Sequence, residues 1–486
     1  MKRTETTEGG HSCPPRKVGT IPTEIGTIAA DWRIAPLDAV CEPPQYGFTA
    51  SAEAKGKVRF LRITDITDSG VKWPTVPFCE CPEEELGKYR LASGDIVFAR
   101  IGATTGKSYL ITNPPPSVFA SYLIRVRTKR EIDPIFLSQF FRSDAYWRQV
   151  DAQKNANLKK GVSGSLLKTL LVPVPPLSEQ RKIAGVLGVV QRAMEQQERL
   201  LALTAELKKA LLHKLFTEGL RGEPKKQTDI GPVPQSWELV KLDDVFETQL
   251  GKMLSQKAHI GNDPKPYLRN KNVQWGQIDI TDLLEMNFNE RERAKFALRP
   301  GDLLICEGGE PGRAAIWHGE LKECYYQKAL HRLRPKDQRI TNEYLAHWLA
   351  FSLQLQNLYG VAGASSTIAH LPESQLKALP IPMPKRSEQD EICVTLEGVV
   401  SKVAHHRRKH ATLASLFHTL LYQLMSAQIR VHDLDMDKLE CILERGDVSP
   451  LSEGVTRRAD QSADSSAHSE KQNGDTSPHV TIRKVE

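Results

Sequence analysis

The stretch Gly102-Ala-Thr-Thr-Gly106-Lys107-Ser108 has the residue types of a phosphate-binding loop: glycines that let backbone N–H groups approach an anion, then a lysine and a hydroxyl. A nucleotide-hydrolysing loop needs four residues between its glycines, and here there are three. A turn between strands, with its base available to a polyanion, fits that spacing better. Cys79 and Cys81 stand one residue apart with no second pair at zinc-ligand spacing. His405, His406 and His410 offer an i, i+4 pair, which seam or solvated positions on a helix explain more simply. No Ser/His/Asp set or paired-carboxylate signature stands out, so catalysis and metal binding by this chain alone are not expected.

Asn113-Pro114-Pro115-Pro116 shares three residues with the Asn-Pro-Pro-aromatic tetrad of amino-methyltransferases, whose aromatic stacks on an extruded base. Here the fourth residue is proline and no Gly-rich cofactor loop follows a strand, so the stretch reads as a hairpin turn. What the loops do supply is groups suited to DNA. Lys55, Lys57, Arg62, Arg100, Thr104, Thr105 and Lys107 occur in the first half, followed by Lys154, Asn155, Asn157, Lys159 and Lys160. The second half has Arg269, Asn270, Lys271, Asn272, Gln274, Trp275 and Arg313, then Ser365, Ser366 and Thr367. Lys and Arg serve phosphates, whereas Asn, Gln and Arg make bidentate bonds to base edges. Any one of these is equally at home on a solvated surface; the set is more telling.

The elements that must position these loops occur twice. Pro-Val-Pro-Pro-Leu-Ser-Glu-Gln (173 to 180) returns as Pro-Met-Pro-Lys-Arg-Ser-Glu-Gln (382 to 389), placing Ser387 an offset of 209 after Ser178. Each proline-rich entry leads to a Ser whose hydroxyl can cap a helix. An apolar seam follows at alternating three- and four-residue steps. In the first copy it runs Ile183, Leu187, Val190, Met194, Gln197, Leu201, Thr204, Lys208, Leu211 and Leu215. The second runs Ile392, Leu396, Val399, Val403, His406, His410, Leu413, Phe417, Leu420 and Leu424. Two helices of about 50 Å bury such seams against each other, and a centred antiparallel register sets Gln197 near His410 and Ile183 near Leu424.

Ahead of the helices, Trp32 and Leu37 recur as Trp237 and Leu242, and Gly94-Asp95 recurs as Gly301-Asp302. Strands are expected at 58–64, 95–101, 107–112 and 119–127 with a helix at 134–149. Their counterparts lie at 266–270, 302–306, 313–317, 326–334 and 342–356. Strands mixed with helices imply an α+β (or α/β) fold. The domains follow: a disordered start (1–24), a first domain (25–176), a long helix (177–217), a linker (218–229), a second domain (230–384), a second long helix (385–430) and a disordered polar tail (431–486).

At 486 residues the chain exceeds one ordinary core. Its net charge of +7 favours polyanion partners. The start lacks a signal peptide's apolar core, no apolar run reaches spanning length, and the eight scattered cysteines suit a reducing compartment, so a cytoplasmic location is expected.

Taken together, the duplicated Trp-x-x-x-x-Leu openings, the Gly-Asp strands, the Ser-Glu-Gln helices and the junction Phe216-Thr-Glu-Gly-Leu-Arg-Gly resemble the specificity subunits of type I restriction-modification enzymes. The resemblance covers about 25–430; Pro384-Lys385-Arg386 departs from the usual apolar entry, and the tail has no counterpart. It implies two DNA target-recognition domains separated by a pair of antiparallel coiled-coil helices with pseudo-two-fold symmetry, reading a bipartite DNA target. It implies partners as well: two methyltransferase subunits using S-adenosylmethionine, and two motor-nuclease subunits using ATP and Mg, with no cofactor bound by this chain. The alternatives are half of a fused restriction-methylation enzyme, which a cofactor signature would favour, and a coiled-coil scaffold for protein or RNA.

Overall fold

The computed structural model describes residues 19–67, 70–156, 161–254, 263–358 and 370–434. Two compact units result, Met1–Met194 with Thr412–Glu486, and Glu195–Ala411. Each long helix therefore gives its first part to one unit and the remainder to the other.

In the first unit, four antiparallel strands are ordered Ser108–Leu110, Ile96–Ala99, Leu123–Val126, Gln45–Tyr46. A smaller sheet is ordered Ser117–Phe119, Val58–Leu61, Phe78–Cys79, its first pair parallel. The strand Leu171–Val174, which leads into the first long helix, pairs with Arg33–Pro36. The second unit repeats this plan. Its larger sheet is ordered Ala314–Ile316, Leu303–Cys306, Leu330–Pro335, Phe246–Leu250. Its smaller sheet is Leu284–Asn287, Pro264–Leu268, Tyr325–Tyr326, and Glu238–Lys241 pairs with Pro380–Met383.

The repeated Gly-Asp turn explains how the larger sheet tolerates arginines inside. Gly94 and Gly301 adopt φ of +94° and +93°, a conformation that glycine enters without steric cost. Asp95 then accepts from the Ala92 N–H at 3.0 Å and pairs with Arg127 at 2.7 Å and the buried Arg125 at 3.4 Å. Asp302 accepts from the Arg299 N–H at 2.8 Å and takes both Nε and Nη2 of Arg334. Arg125 persists in the interior because it is paired and hydrogen-bonded, whereas its counterpart Arg332 turns to Glu247 at 3.7 Å and the Lys295 carbonyl at 3.0 Å.

Several expectations need correction. The expected strands 119–127 and 326–334 each split in two, because the chain crosses from the smaller sheet to the larger one between Phe119 and Leu123 and between Tyr326 and Leu330. Asn113, at φ +46°, turns between strands of different sheets and so is not a hairpin turn. The expected helix 134–149 is Pro134–Phe140 followed by Asp144–Ala156. Ser143 separates them, bonding back to the Phe140 carbonyl at 2.7 Å. Its counterpart Asn342–Leu349 continues as a π-helical turn, Ala350–Leu355. Thr20–Thr23, expected to be disordered, forms a hairpin with Gly26–Ala29. The linker likewise contains the strand Lys225–Thr228, paired with Gly231–Pro234. At the other end Val431 and Leu434 are buried, although a polar tail was expected from 431.

The long helices span Leu177–Glu218 and Arg386–Met425. Both begin one residue before the expected Ser cap: Glu179 and Gln180 donate to the Pro176 carbonyl, and Glu388 and Gln389 to that of Lys385. Within the first unit Ile183, Leu187 and Val190 share a core with Leu413, Phe417, Leu420 and Leu424; within the second, Leu215 shares one with Ile392 and Leu396. In each unit the first part of one long helix thus packs with the last part of the other. Val399 and Gln197 are buried, whereas Met194, Leu211 and His410 are half-buried. Register differs from the centred expectation, since Gln197 meets His406 at 2.9 Å and His410 meets Glu198 at 3.3 Å. Leu212 and Phe216 widen the seam beyond the heptad positions.

The Glu of each Ser-Glu-Gln motif fastens its helix to the opening tryptophan. Trp32 Nε1 donates to Glu179 at 3.1 Å, and Trp237 Nε1 to Glu388 at 3.3 Å. The Gln holds the chain on the other side: Gln180 Nε2 donates to the carbonyls of Pro175 and Glu131, and Gln389 Nε2 to those of Pro384 and Arg339.

Candidate nucleic-acid interface

In both units, loops adjoining strands of the larger and the smaller sheet carry most of the predicted polar residues that are described. The turn Arg100–Lys107 joins the strands Ile96–Ala99 and Ser108–Leu110, with Gly102 and Gly106 at φ of +87° and +90°. Gly309 and Gly312 play the same part in the second unit, at +81° and +85°. Thr105 Oγ1 donates to the Gly102 carbonyl at 2.6 Å, and Lys107 is exposed beside it. The loop is a strand connection, as its spacing suggested.

The predicted bases differ in how free they are. Arg62 is spent on Asp65, with bonds of 3.0 and 2.9 Å, and that hydrogen bond raises the guanidinium pKa further. At the matching place Arg269 reaches Asp282 at 3.1 Å, and Lys271 reaches the same carboxylate at 2.6 Å. The two cations, Lys271 foremost, hold Asp282 below the usual carboxylate range. Arg313 is the hub of a network: it donates to the Asn270 carbonyl at 2.6 Å, to Gln274 at 3.3 Å and to Glu310 at 3.2 Å. Trp275 Nε1 donates to the same Glu310 at 3.0 Å. Asn270, Lys271, Gln274 and Arg313 are thus gathered from two loops into one surface. Asn272 is buried and bonded to the carbonyls of Asp279 and Asp282, which makes it part of the loop's frame.

Lys55 and Lys57 are exposed on the loop before Val58. Lys154 and Asn155 fall in the last turn of the helix Asp144–Ala156. Asn157, Lys159, Lys160, Ser365, Ser366 and Thr367 lie outside the described residues. Reasoning from sequence missed an aromatic pair: Tyr46 and Tyr122, 42% and 56% exposed, lie next to Arg100. The available signal was Tyr46-Gly47, a large ring beside a glycine at a sheet edge. Among the described residues no group of three or more His, Cys, Asp or Glu could hold a metal ion, and no helix is long and apolar enough to cross a membrane.

The family model of the type I restriction-modification DNA specificity domain matches this chain twice, at residues 30–205 and 234–414. The chain belongs to that family. Its two specificity domains are similar over most of their length to the MjaX specificity subunit of Methanocaldococcus jannaschii: 24% identity over 423 residues, covering 84% of this chain and 96% of that one. The MjaVIII specificity subunit of the same organism is 24% identical over 354 residues, covering 70% and 80%. In architecture the specificity chain resembles the type I S subunit of M. genitalium, with a TM-score of 0.52 at 15% identity over 80% of this chain and 95% of that one.

Proposed function

We propose that this chain is the address-reading subunit of a cytoplasmic type I restriction-modification complex, and that each unit reads one half of a bipartite duplex target. The observation that supports it is a duplicated scaffold with unlike loops. The turn after the strand Ile96–Ala99 runs Arg100 to Lys107 in one unit, where the other has Glu307 to Arg313. Asn270, Lys271 and Gln274 follow Pro264–Leu268 where the first unit has Ile63, Thr64 and Thr67 after Val58–Leu61. Side chains with bidentate donors and acceptors specify bases, while the lysines and threonines hold phosphates. Unlike loops then demand unlike half-sites.

In this reading the chemistry stays in trans. Two modification subunits carry S-adenosylmethionine and methylate adenine, and two restriction subunits use ATP and Mg to move and cut DNA. The long helices set the unspecified gap between half-sites. Their exposed apolar side chains, among them Leu203 and Val394 at 67% and 69% exposure, offer docking area to the modification subunits. The test is to replace 237–381 with the corresponding domain of another family member and map methylated adenines. One half of the motif should change and the other persist; a change in both would refute separate readout.

A further inference from the structure

Among the sequence-predicted arginines, Arg100 is held differently from the rest. Arg62, Arg269 and Arg313 are each neutralised by a carboxylate, whereas among the described residues no carboxylate pairs with Arg100. Its guanidinium instead lies over the ring of Tyr46, 5.1 Å from the centroid. That ring is itself fixed, because its hydroxyl accepts the Gly164 N–H at 2.9 Å. The backbone is pinned from both sides: Arg100 N–H donates to the Tyr122 carbonyl, and the Arg100 carbonyl accepts from Val162, each at 3.0 Å. A stacked guanidinium at the end of a buried strand loses little freedom on binding.

Its neighbours indicate what it meets. Ile101 is 40% exposed and Tyr122 56%, so the patch combines one free cation with apolar and aromatic surface. Phosphates are met by arginines as well as lysines, hydroxyls and amides, but gain nothing from an exposed isoleucine. Base edges in a major groove present both hydrogen-bond acceptors and apolar methyl groups. At the same place in the second unit stand Glu307, Leu250 and Ala329, with Glu307 N–H donating to the Ala329 carbonyl as Arg100 does to Tyr122.

We infer that Arg100 reads a guanine through O6 and N7 within the half-site of the first unit, with Tyr46 as the positioning residue that holds its fork. This deepens the proposed DNA-reading function and rests on it. The experiment co-expresses the full chain with its modification subunits in a methylation-free host and maps methylated adenines across the genome. Failure of the unchanged chain to yield a two-part motif would overturn the reading function itself, and this inference with it. Given such a motif, Arg100→Gln should relax one G·C position in one half about ten- to a hundredfold and leave the other half intact. Arg100→Lys keeps the charge without the planar fork and should relax the same position. Tyr46→Leu should relax it more weakly, roughly three- to tenfold, by loosening the stacked guanidinium, with Tyr46→Phe milder still. Methylation falling evenly while every base of the motif persists, with Arg100→Lys behaving as the unchanged chain, would make Arg100 a phosphate contact and overturn the inference. So would a motif with no fixed G·C pair in either half.

Discussion

Asp95 and Asp302 are interchangeable, whereas Arg100 and Glu307, five residues further along the same strands, are opposite in charge. The aspartates occupy the same turn and bind the same outer arginine, Arg127 in one unit and Arg334 in the other. The difference separates two kinds of constraint. Duplication has kept what the interior demands, down to individual ion pairs, and has left the exposed end of each sheet to diverge. A reader of two unlike half-sites needs this combination, because geometry has to be common while chemistry differs.

The common frame breaks most severely at a close crossing of chains present in both units. A Cβ on Gly47 would stand 2.1 Å from the Ala120 carbonyl oxygen, and one on Gly251 would stand 2.3 Å from that of Gln327. Backbone on both sides leaves no room for relief. Gly47→Ala and Gly251→Ala should each cost at least about 3 kcal/mol, read as denaturation midpoints. A variant that collapses in one unit and passes unnoticed in the other would show that the frames are not equivalent.

The next effect sharpens a difference. Arg221 and Arg430 stand at the same offset of 209 as the two helix entries, yet they are used differently. Arg430 grips Glu179 at 2.8 Å and Asp31 at 2.9 Å and so closes the Trp32 to Glu179 latch. In the second unit the equivalent Glu388 is closed by the Leu220 N–H at 3.2 Å, and Arg221 sits in solvent 3.6 Å from Glu391. Arg430→Ala leaves a buried carboxylate short of its cation and should cost about 2 to 3 kcal/mol. Arg221→Ala should cost less than about 0.5 kcal/mol. Equal losses in urea titrations would mean that the latches are alike after all.

Acid should distinguish the units as well. Asp133 and Thr341 cap equivalent helices, so Gln139 and His347 each fall six residues after a cap. Burial, with Lys208 adding to it, pushes His347 down to about 4, and burial also lowers His331, whose counterpart is Ile124. A histidine depressed in the folded state is neutral there while the unfolded chain binds a proton. Stability is therefore complete above the unfolded value of about 6.5 and is lost as pH falls toward 4. At pH 5 the His347 contribution amounts to about 2 kcal/mol. His347→Gln, which copies the first unit, should flatten stability between pH 7 and pH 5. An unchanged pH slope would place the acid sensitivity elsewhere.

How much of this was legible depended on whether the cause was local. Seam residues such as Ile183, Leu187 and Leu413 were readable because helical spacing is a property of neighbouring residues. The duplicated Trp and Glu were visible as matching letters, but their mutual bond spans 147 residues and no spacing reveals it. Among the loop bases, the loss of Arg62 to Asp65 could have been foreseen from the i, i+3 interval, whereas that of Arg269 to Asp282 could not, since an intervening hairpin brings them together. The strand expected at 119–127 failed for the reason that makes Gly47 essential. Two sheets meet there, and the crossing is fixed by chain that lies far off in sequence.

A gain of stability is expected only where the second long helix ends. Gly219 follows the first with φ of +67°, and Ala427 follows the second with φ of +52°. A left-handed residue after a helix satisfies its last carbonyls, and glycine enters that conformation without the steric cost of a Cβ. Ala427→Gly should therefore stabilise the chain by about 1 kcal/mol, because it relieves a cost that its counterpart does not bear. Gly219→Ala imposes that cost and adds a contact of 2.9 Å with Pro234 Cγ, so the loss should reach about 2 kcal/mol. Denaturation midpoints at unchanged m value are the measure. Opposite signs at the two helix ends would show that one halting device serves both copies, with only the second strained; a loss on Ala427→Gly would mean that the alanine methyl packs in a way that outweighs its strain.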